Sequence, residues 1–513
     1  MDFEVEPFEH KPSDSVLRKI KIQPTKEKLT GSAGLGTIVE IFDQSGLKNE
    51  FIRCLPQRSS PRSIGGYQMA LQMISGFIHG FDCLDDYDDF KGDEAIQALF
   101  GEGTAKARTL GDLLRDFTDE NISDLNRFLG KMSWGMLASL AKNLPEEHKP
   151  QFVCLDIDST DHSQSGNKIE GVAWNYKHHW CLDSQVIFDQ IGFCHGFQLR
   201  PGNTKSGVDA PKLLEGALDD GKTQMKRRFE GKVYSRADSA YCNQDYIKTN
   251  LAKGALFTIT ANDGTTNWKD LLASEGVAWT PHVYSDDEST WAEERQIELP
   301  VIDYARLLWT PGWSIKEGKK LVFPIIVKRT LDKEKYEEIR KRNSQLRLIG
   351  DDGYLKADPY DYYAVVTNFP LDLAVERAQA SESEIKNKRY YSLQEVIEHH
   401  AQRATAENFI REQKYGYDMK HFPCLKMNAN HAYGLLAMVA HNLLRWVSLM
   451  MKPDKPMFAK KLRKRFVFYP GKILYRSRQI FLRIVEQGYQ EVMTLRETWG
   501  FKSERISPHL SSA

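Results

Sequence analysis

Residues 152–158 read Phe-Val-Cys-Leu-Asp-Ile-Asp, an apolar run that closes on two aspartates. Ahead of Pro150 the apolar residues recur at helical spacing, as in 67–78 and 109–128, with loop signals at 56–61 and 101–103. Behind it the texture changes to strands: 152–158, 169–176, 181–189 and 193–199 are rich in β-formers, and Arg200-Pro-Gly-Asn follows as a turn. A helix over 210–218 comes next, with Ser206 or Asp209 available to cap it. Residues 232–239, Lys-Val-Tyr-Ser-Arg-Ala-Asp-Ser, form a further strand that closes on Asp238. A helix from about 243 to 251, stopped by Gly254, and a strand over 255–260 complete the series, and 360–368 supply a last core strand.

Three strands, helix, strand, helix, strand is the order of a ribonuclease-H-like α/β core. Its two strand-ending aspartates give meaning to a third stretch, 403–414, Arg-Ala-Thr-Ala-Glu-Asn-Phe-Ile-Arg-Glu-Gln-Lys. Arg403, Glu407, Arg411 and Lys414 fall on one helical stripe. Such a stripe can be an exposed face laced by ion pairs worth ~0.3–0.5 kcal/mol each, or a metal-binding glutamate among cations that hold phosphates. Asp158, Asp238 and Glu407 together favour the second. Two Mg²⁺ ions ~3.5–4 Å apart stabilise the attacking and leaving oxygens of a phosphodiester together. Carboxylates suit that hard cation, and Mn²⁺ could replace it. Asp156 and Asp158 share a strand face; Asp158 opens Asp-Ser-Thr at the strand end, where it can reach a cleft, so it is taken as the ligand and Asp156 as its rival.

At 513 residues the chain suggests two to four domains. The expected division is a polar arm (1–34), a helical DNA-binding domain (35–148), the first part of the core (149–262), a β-rich insertion (263–350), the second part of the core (351–451) and a basic C-terminal helical region (452–513). Residues 109–115 could open a DNA-reading helix or an ordinary amphipathic one. Lys plus Arg equals Asp plus Glu at 70 each, so only the distribution of charge informs: 455–483 carry no acid, while 82–94 are strongly acidic. Lys461, Arg463, Lys464 and Arg465, interleaved with Phe466, Phe468 and Tyr469, could follow a DNA backbone. Seven scattered cysteines without a CxxC pair argue against structural zinc or a disulfide framework. The first residues lack the apolar core of a signal peptide, and 432–451, interrupted by His441, Asn442 and Arg445, read as a buried helix and not a membrane span.

Together these motifs resemble the DDE transposases of bacterial insertion sequences, over roughly 150–450. The third acidic residue of that family sits in Tyr-x2-Arg-x3-Glu-x6-Lys; Arg403, Glu407 and Lys414 match, and His400 stands where the tyrosine would be. Asp158-Ser-Thr matches the first motif and Asp238-x-x-Tyr241 the second. The resemblance implies cut-and-paste transposition: binding of terminal inverted repeats, strand hydrolysis at each transposon end, and strand transfer by the freed 3′-hydroxyl. It implies two Mg²⁺ ions, double-stranded end and target DNA, a homodimer on two ends, no membrane, and a bacterial cytoplasmic, nucleoid-associated location. By the same resemblance Arg403 and Lys414, with Arg411 beside them, would hold phosphates, and Trp291 or Trp309 in the insertion would stack on a flipped base. Two rivals remain. Asp156-x-Asp158-x-Thr160 also fits a DxDxT phosphatase, with Asp351-Asp352 as its late acidic pair, but leaves Asp238 and the charged helix without a role. A non-cleaving, domesticated DNA-binding protein on the same fold is the other.

Overall fold

The computed structural model describes residues 22–57, 64–101, 103–165, 167–274, 276–348, 357–371, 389–476 and 479–500. Its centre is a 10-stranded mixed sheet. In chain order the long strands are β1 (Val153–Ser163), β2 (Trp180–Asp189), β3 (Cys194–Pro201), β4 (Val233–Ala237), β5 (Leu256–Thr260), β6 (Ile302–Trp309), β7 (Phe323–Leu331) and β8 (Tyr360–Thr367). β1, β2 and β3 form an antiparallel meander, and β4 and β5 lie parallel to β1 on its other side. β8, β7 and β6 extend the sheet beyond β5, each antiparallel to its neighbour. Residues 153–157 are buried without a break, because β1 is central and covered on both faces.

The helix expected after the meander is Ala210–Asp220, and the one expected after β4 is Gln244–Lys253. Gly254 ends the latter in the left-handed region at φ +69°, where a side chain would be strained. Two expectations are corrected, for 169–176 and for the charged helix. Of 169–176 only Ala173–Trp174 is strand; Gly171 turns the chain at φ +84°, and Glu170 is held by its backbone N–H to Leu425 O and its carboxylate to Met427 N. Within 263–350, the stretch expected as a β-rich insertion, β6 and β7 join the core sheet and the helices Asp286–Arg295 and Lys333–Leu348 stand between strands. The charged stretch 403–414 is not one continuous α-helix: Arg403 lies in the 3₁₀ turn Gln402–Ala404 that follows the helix Leu393–Ala401, and Glu407, Arg411 and Lys414 lie in Thr405–Gly416.

One helix among the described residues, Met427–Met451, is long and apolar enough to cross a membrane, and it is buried inside the protein. Gly434 lets Phe197 of β3 press against it; a Cβ there would lie 2.4 Å from the ring. On its other side Tyr433 meets Phe77 of the helix Gly66–His79 at 4.8 Å between ring centroids. The N-terminal helices, this helix and the sheet therefore share one hydrophobic core.

The basic tail is not simply helical. A hairpin, Gly471–Arg476 with Gln479–Ile484, pairs with Leu29–Thr30, so the polar arm ends in a strand. The helix Glu486–Trp499 follows and docks through Trp499 on Trp446, 4.9 Å between centroids. The remainder of the arm, 1–21, lies outside the described residues.

Candidate active site

The parallel register of β1 and β4 pairs Asp156 with Arg236. Two residues further on β4 has ended at Ala237 and Asp238 follows it directly, while Asp158 lies within β1, which runs on to Ser163 against β2; the charge of Asp238 acts on Asp158. Asp238 caps the short turn Ser239–Tyr241, its Oδ1 accepting from Ala240 N at 2.8 Å. The capping role leaves its second oxygen outside that bond. Asp158 Oδ1 accepts from Ser159 N at 2.8 Å, and its Oδ2 accepts from Arg403 Nη1 at 3.0 Å. Burial raises the Asp158 pKa, the Arg403 charge opposes the shift, and the Asp238 charge adds to it. Two acids that feel one another across adjacent strands invite a cation between them.

Asp156 has a different environment although it shares the strand face of Asp158. Arg236 grips it with two bonds, Nε to Oδ1 at 2.6 Å and Nη2 to Oδ2 at 2.7 Å, and donates a third to His399 O at 2.7 Å. Both side chains of the pair are 1% exposed. With neither oxygen free, Asp156 welds β1, β4 and the helix Leu393–Ala401 together. Arg236 escaped attention in the sequence, although its position two residues before Asp238 on one strand face was the available signal.

Glu407 lies in the first turn of Thr405–Gly416, exposed, and makes no hydrogen bond or ion pair with a described residue. Arg403, one turn ahead of it, reaches Asp158. Among the described residues, the only three acids or other ligand residues whose donor atoms lie within 4.8 Å of one another are Asp82, Cys83 and Asp86. The structure thus joins Asp158, Asp238 and Arg403, and leaves Glu407 on the same helical segment but outside that cluster.

His400 is buried, its Nδ1 2.9 Å from Thr258 Oγ1 and its Nε2 3.0 Å from Thr260 Oγ1. Burial and the Arg403 charge push its pKa down to about 3, so it is a neutral link between helix and β5. Thr260 Oγ1 also meets the Tyr363 hydroxyl at 2.9 Å, so a tyrosine from β8 stands close to the position where the sequence has none. Lys414 is partly buried; burial lowers its pKa while Asp161 opposes, which places it by the far end of β1. Arg411 is exposed.

The remaining DNA-contact expectations divide. Lys461 and Lys464 are exposed. Arg463 is not available: it is buried and donates to Phe77 O at 2.6 Å and Ile78 O at 2.9 Å, closing the end of the helix Gly66–His79. Arg465 is tied to Glu491 at 3.0 Å. Trp309 is buried at 7% exposure and packs on Phe323, whereas Trp291 is 48% exposed with Arg295 4.8 Å from its ring. Asp351 and Asp352 lie outside the described residues.

The sequence profile of the family described as transposase DDE domain group 1 matches residues 13–295, more than half of the chain. The chain belongs to the DDE transposases. The matched span carries both Asp158 and Asp238 and stops ahead of the Glu407 helix. Members of this family act on DNA and generally use divalent metal ions. A comparison with curated proteins finds no match.

Proposed function

We propose that this DDE-family chain is a cut-and-paste transposase that cleaves DNA at terminal inverted repeats and joins the 3′-hydroxyl to a new target. The observation that carries it is the pairing of β1 with β4, which brings the charge of Asp238, just past the end of β4, to act on Asp158, with Arg403 reaching Asp158 from the segment that bears Glu407. The donor set suits Mg²⁺ or Mn²⁺: hard carboxylate oxygens, one of them on Asp238 outside its capping bond. Asp158, Asp238 and, after closure of its helix, Glu407 would hold such ions. Bound there, they would stabilise the attacking and leaving oxygens at one phosphorus.

The chain's own groups do the rest. Among the described carboxylates Arg403 is bound to Asp158, and it is positioned to exchange that contact for a phosphate oxygen when DNA enters. Its departure would free Asp158 Oδ2. Asp156, with Arg236, ties β1 to β4 and takes no part in the chemistry, which also removes the nucleophile a DxDxT phosphatase would need. In this reading the helical region 35–148 binds DNA, the core carries the chemistry, and strands of the 263–350 insertion join the core sheet. Two copies would assemble on a pair of transposon ends.

The test is nicking of a duplex carrying a terminal inverted repeat, with Mg²⁺ present. Wild type should cut, while Asp158→Asn, Asp238→Asn and Glu407→Gln should bind the duplex and leave it intact. Cleavage by any of these three would overturn the site.

A further inference from the structure

We propose that the hairpin Ala173–Trp180 is a stacking platform for an unpaired base of the DNA strand that passes Asp158, an inference that rests on the transposase reading of that site. Trp174 and Trp180 are register partners across the hairpin and meet edge to face, with centroids 5.6 Å apart and planes at 72°, and are 51% and 40% exposed. Tyr176 at the tip is 83% exposed. Three aromatic rings in water on one short turn forgo much burial.

The turn is fixed, so looseness does not explain their exposure. Asn175 Oδ1 accepts from Lys177 N at 2.9 Å and His179 N at 3.3 Å, and the backbones of Asn175 and His179 bond at 3.1 Å. Asp161 holds the root, with Lys177 Nζ on one oxygen at 3.0 Å and His179 Nε2 on the other at 2.7 Å.

The hairpin also lies on a line with the active site. β1 runs from Asp158 to Ser163, whose register partner Cys181 adjoins Trp180. Five strand residues span about 16 Å. The segment that begins at Arg403, on Asp158, ends near Lys414, whose charge acts on Asp161 and Lys177. Eleven residues at helical rise again give about 16 Å. The two spans agree, and at 3.4 Å per nucleotide they correspond to about five nucleotides from the reacting phosphate. Cations at both ends of the line complement a phosphate chain. A base is the occupant that flat rings accept without regard to sequence.

The test uses the full chain without metal ion, binding a duplex with an overhang of about five nucleotides that contains 2-aminopurine, beside a blunt duplex of equal length. Wild type should prefer the overhang and quench the 2-aminopurine. Trp174→Ala and Tyr176→Ala should each weaken overhang binding about tenfold with blunt-duplex binding unchanged, and Tyr176→Phe should behave as wild type. Equal binding of both duplexes by wild type, overhang binding by the alanine variants as by wild type, or a Trp174→Ala effect confined to oligomeric state would overturn the platform. Asp158→Asn should keep the overhang preference, so failure of the cleavage site and failure of the platform give different results.

Discussion

Asp156→Asn and Asp158→Asn should separate two aspartates that the sequence leaves as rivals. The Asp156–Arg236 pair is 1% exposed on both sides and carries two bonds of 2.6 and 2.7 Å. Asparagine there keeps the shape, turns an NH₂ toward the guanidinium, and leaves a buried cation without a counter-charge. Removing one partner of a buried pair costs about 3–5 kcal/mol, a factor of roughly 10²–10³·⁵ in the unfolding equilibrium. The Asp158–Arg403 pair is 19% and 20% exposed with one bond of 3.0 Å, and its loss should cost about 1 kcal/mol or less. Guanidinium chloride unfolding followed by circular dichroism, together with the nicking assay, reads both effects. Asp156→Asn should lower the midpoint strongly, and adding Arg236→Met should restore part of it, because an apolar neighbour tolerates the neutral amide better than a stranded cation does. Asp158→Asn should unfold near the wild-type midpoint and fail to cut. A stable, inactive Asp156→Asn beside an Asp158→Asn that still cuts would refute the assignment.

Other outcomes follow from the same contacts. His400, whose pKa falls from 6.5 to about 3 on folding, stays neutral in the fold while the unfolded chain takes up its proton below 6.5. Stability is therefore lost as pH falls below 6.5, and between those pKa values wild type should lose about 1.4 kcal/mol per pH unit more than His400→Gln, read by unfolding at pH 6 and pH 5. Because the Asp158 pKa is raised, proton competition should weaken Mn²⁺ binding as pH falls, starting above the ordinary carboxylate range, with Asp158→Asn reducing that dependence in a calorimetric titration. Replacing exposed Lys461 and Lys464 together by alanine should flatten the log–log salt dependence of DNA binding by about 1.8, whereas Arg463→Ala should leave that slope alone and lower the melting temperature.

The motif aspartates were legible because each closes an apolar, β-rich run in the sequence, and two such runs plus a charged helix are a rare coincidence; that β1 itself continues five residues past Asp158 to Ser163 was not, since the polar Ser-Thr-Asp-His-Ser that follows reads as a strand end. The roles of Asp156 and Asp158 were less legible: residues two apart on one strand look alike until the partner strand supplies Arg236 to one of them and the helix supplies Arg403 to the other. The core order through Thr260 followed from alternation and turn residues. The extension of the sheet by β6 and β7 did not, since pairing partners distant in sequence leave no local mark, and Ile325, Ile326 and Val327 look the same in a separate unit as in a continued sheet. The break at Gln402–Ala404 has no proline or glycine to announce it. Arg463 shows the limit of charge counting: a basic run gave it a DNA role, while its actual partners are the carbonyls of Phe77 and Ile78, nearly four hundred residues earlier in the chain.

The most direct test is the anomalous scattering of manganese in crystals of the protein with an end duplex. The account predicts manganese peaks between the carboxylates of Asp158 and Asp238, with Glu407 drawn in and Arg403 moved onto a phosphate. Manganese bound elsewhere, or a DNA-bound site in which Arg403 still holds Asp158 and Glu407 remains apart, would contradict it.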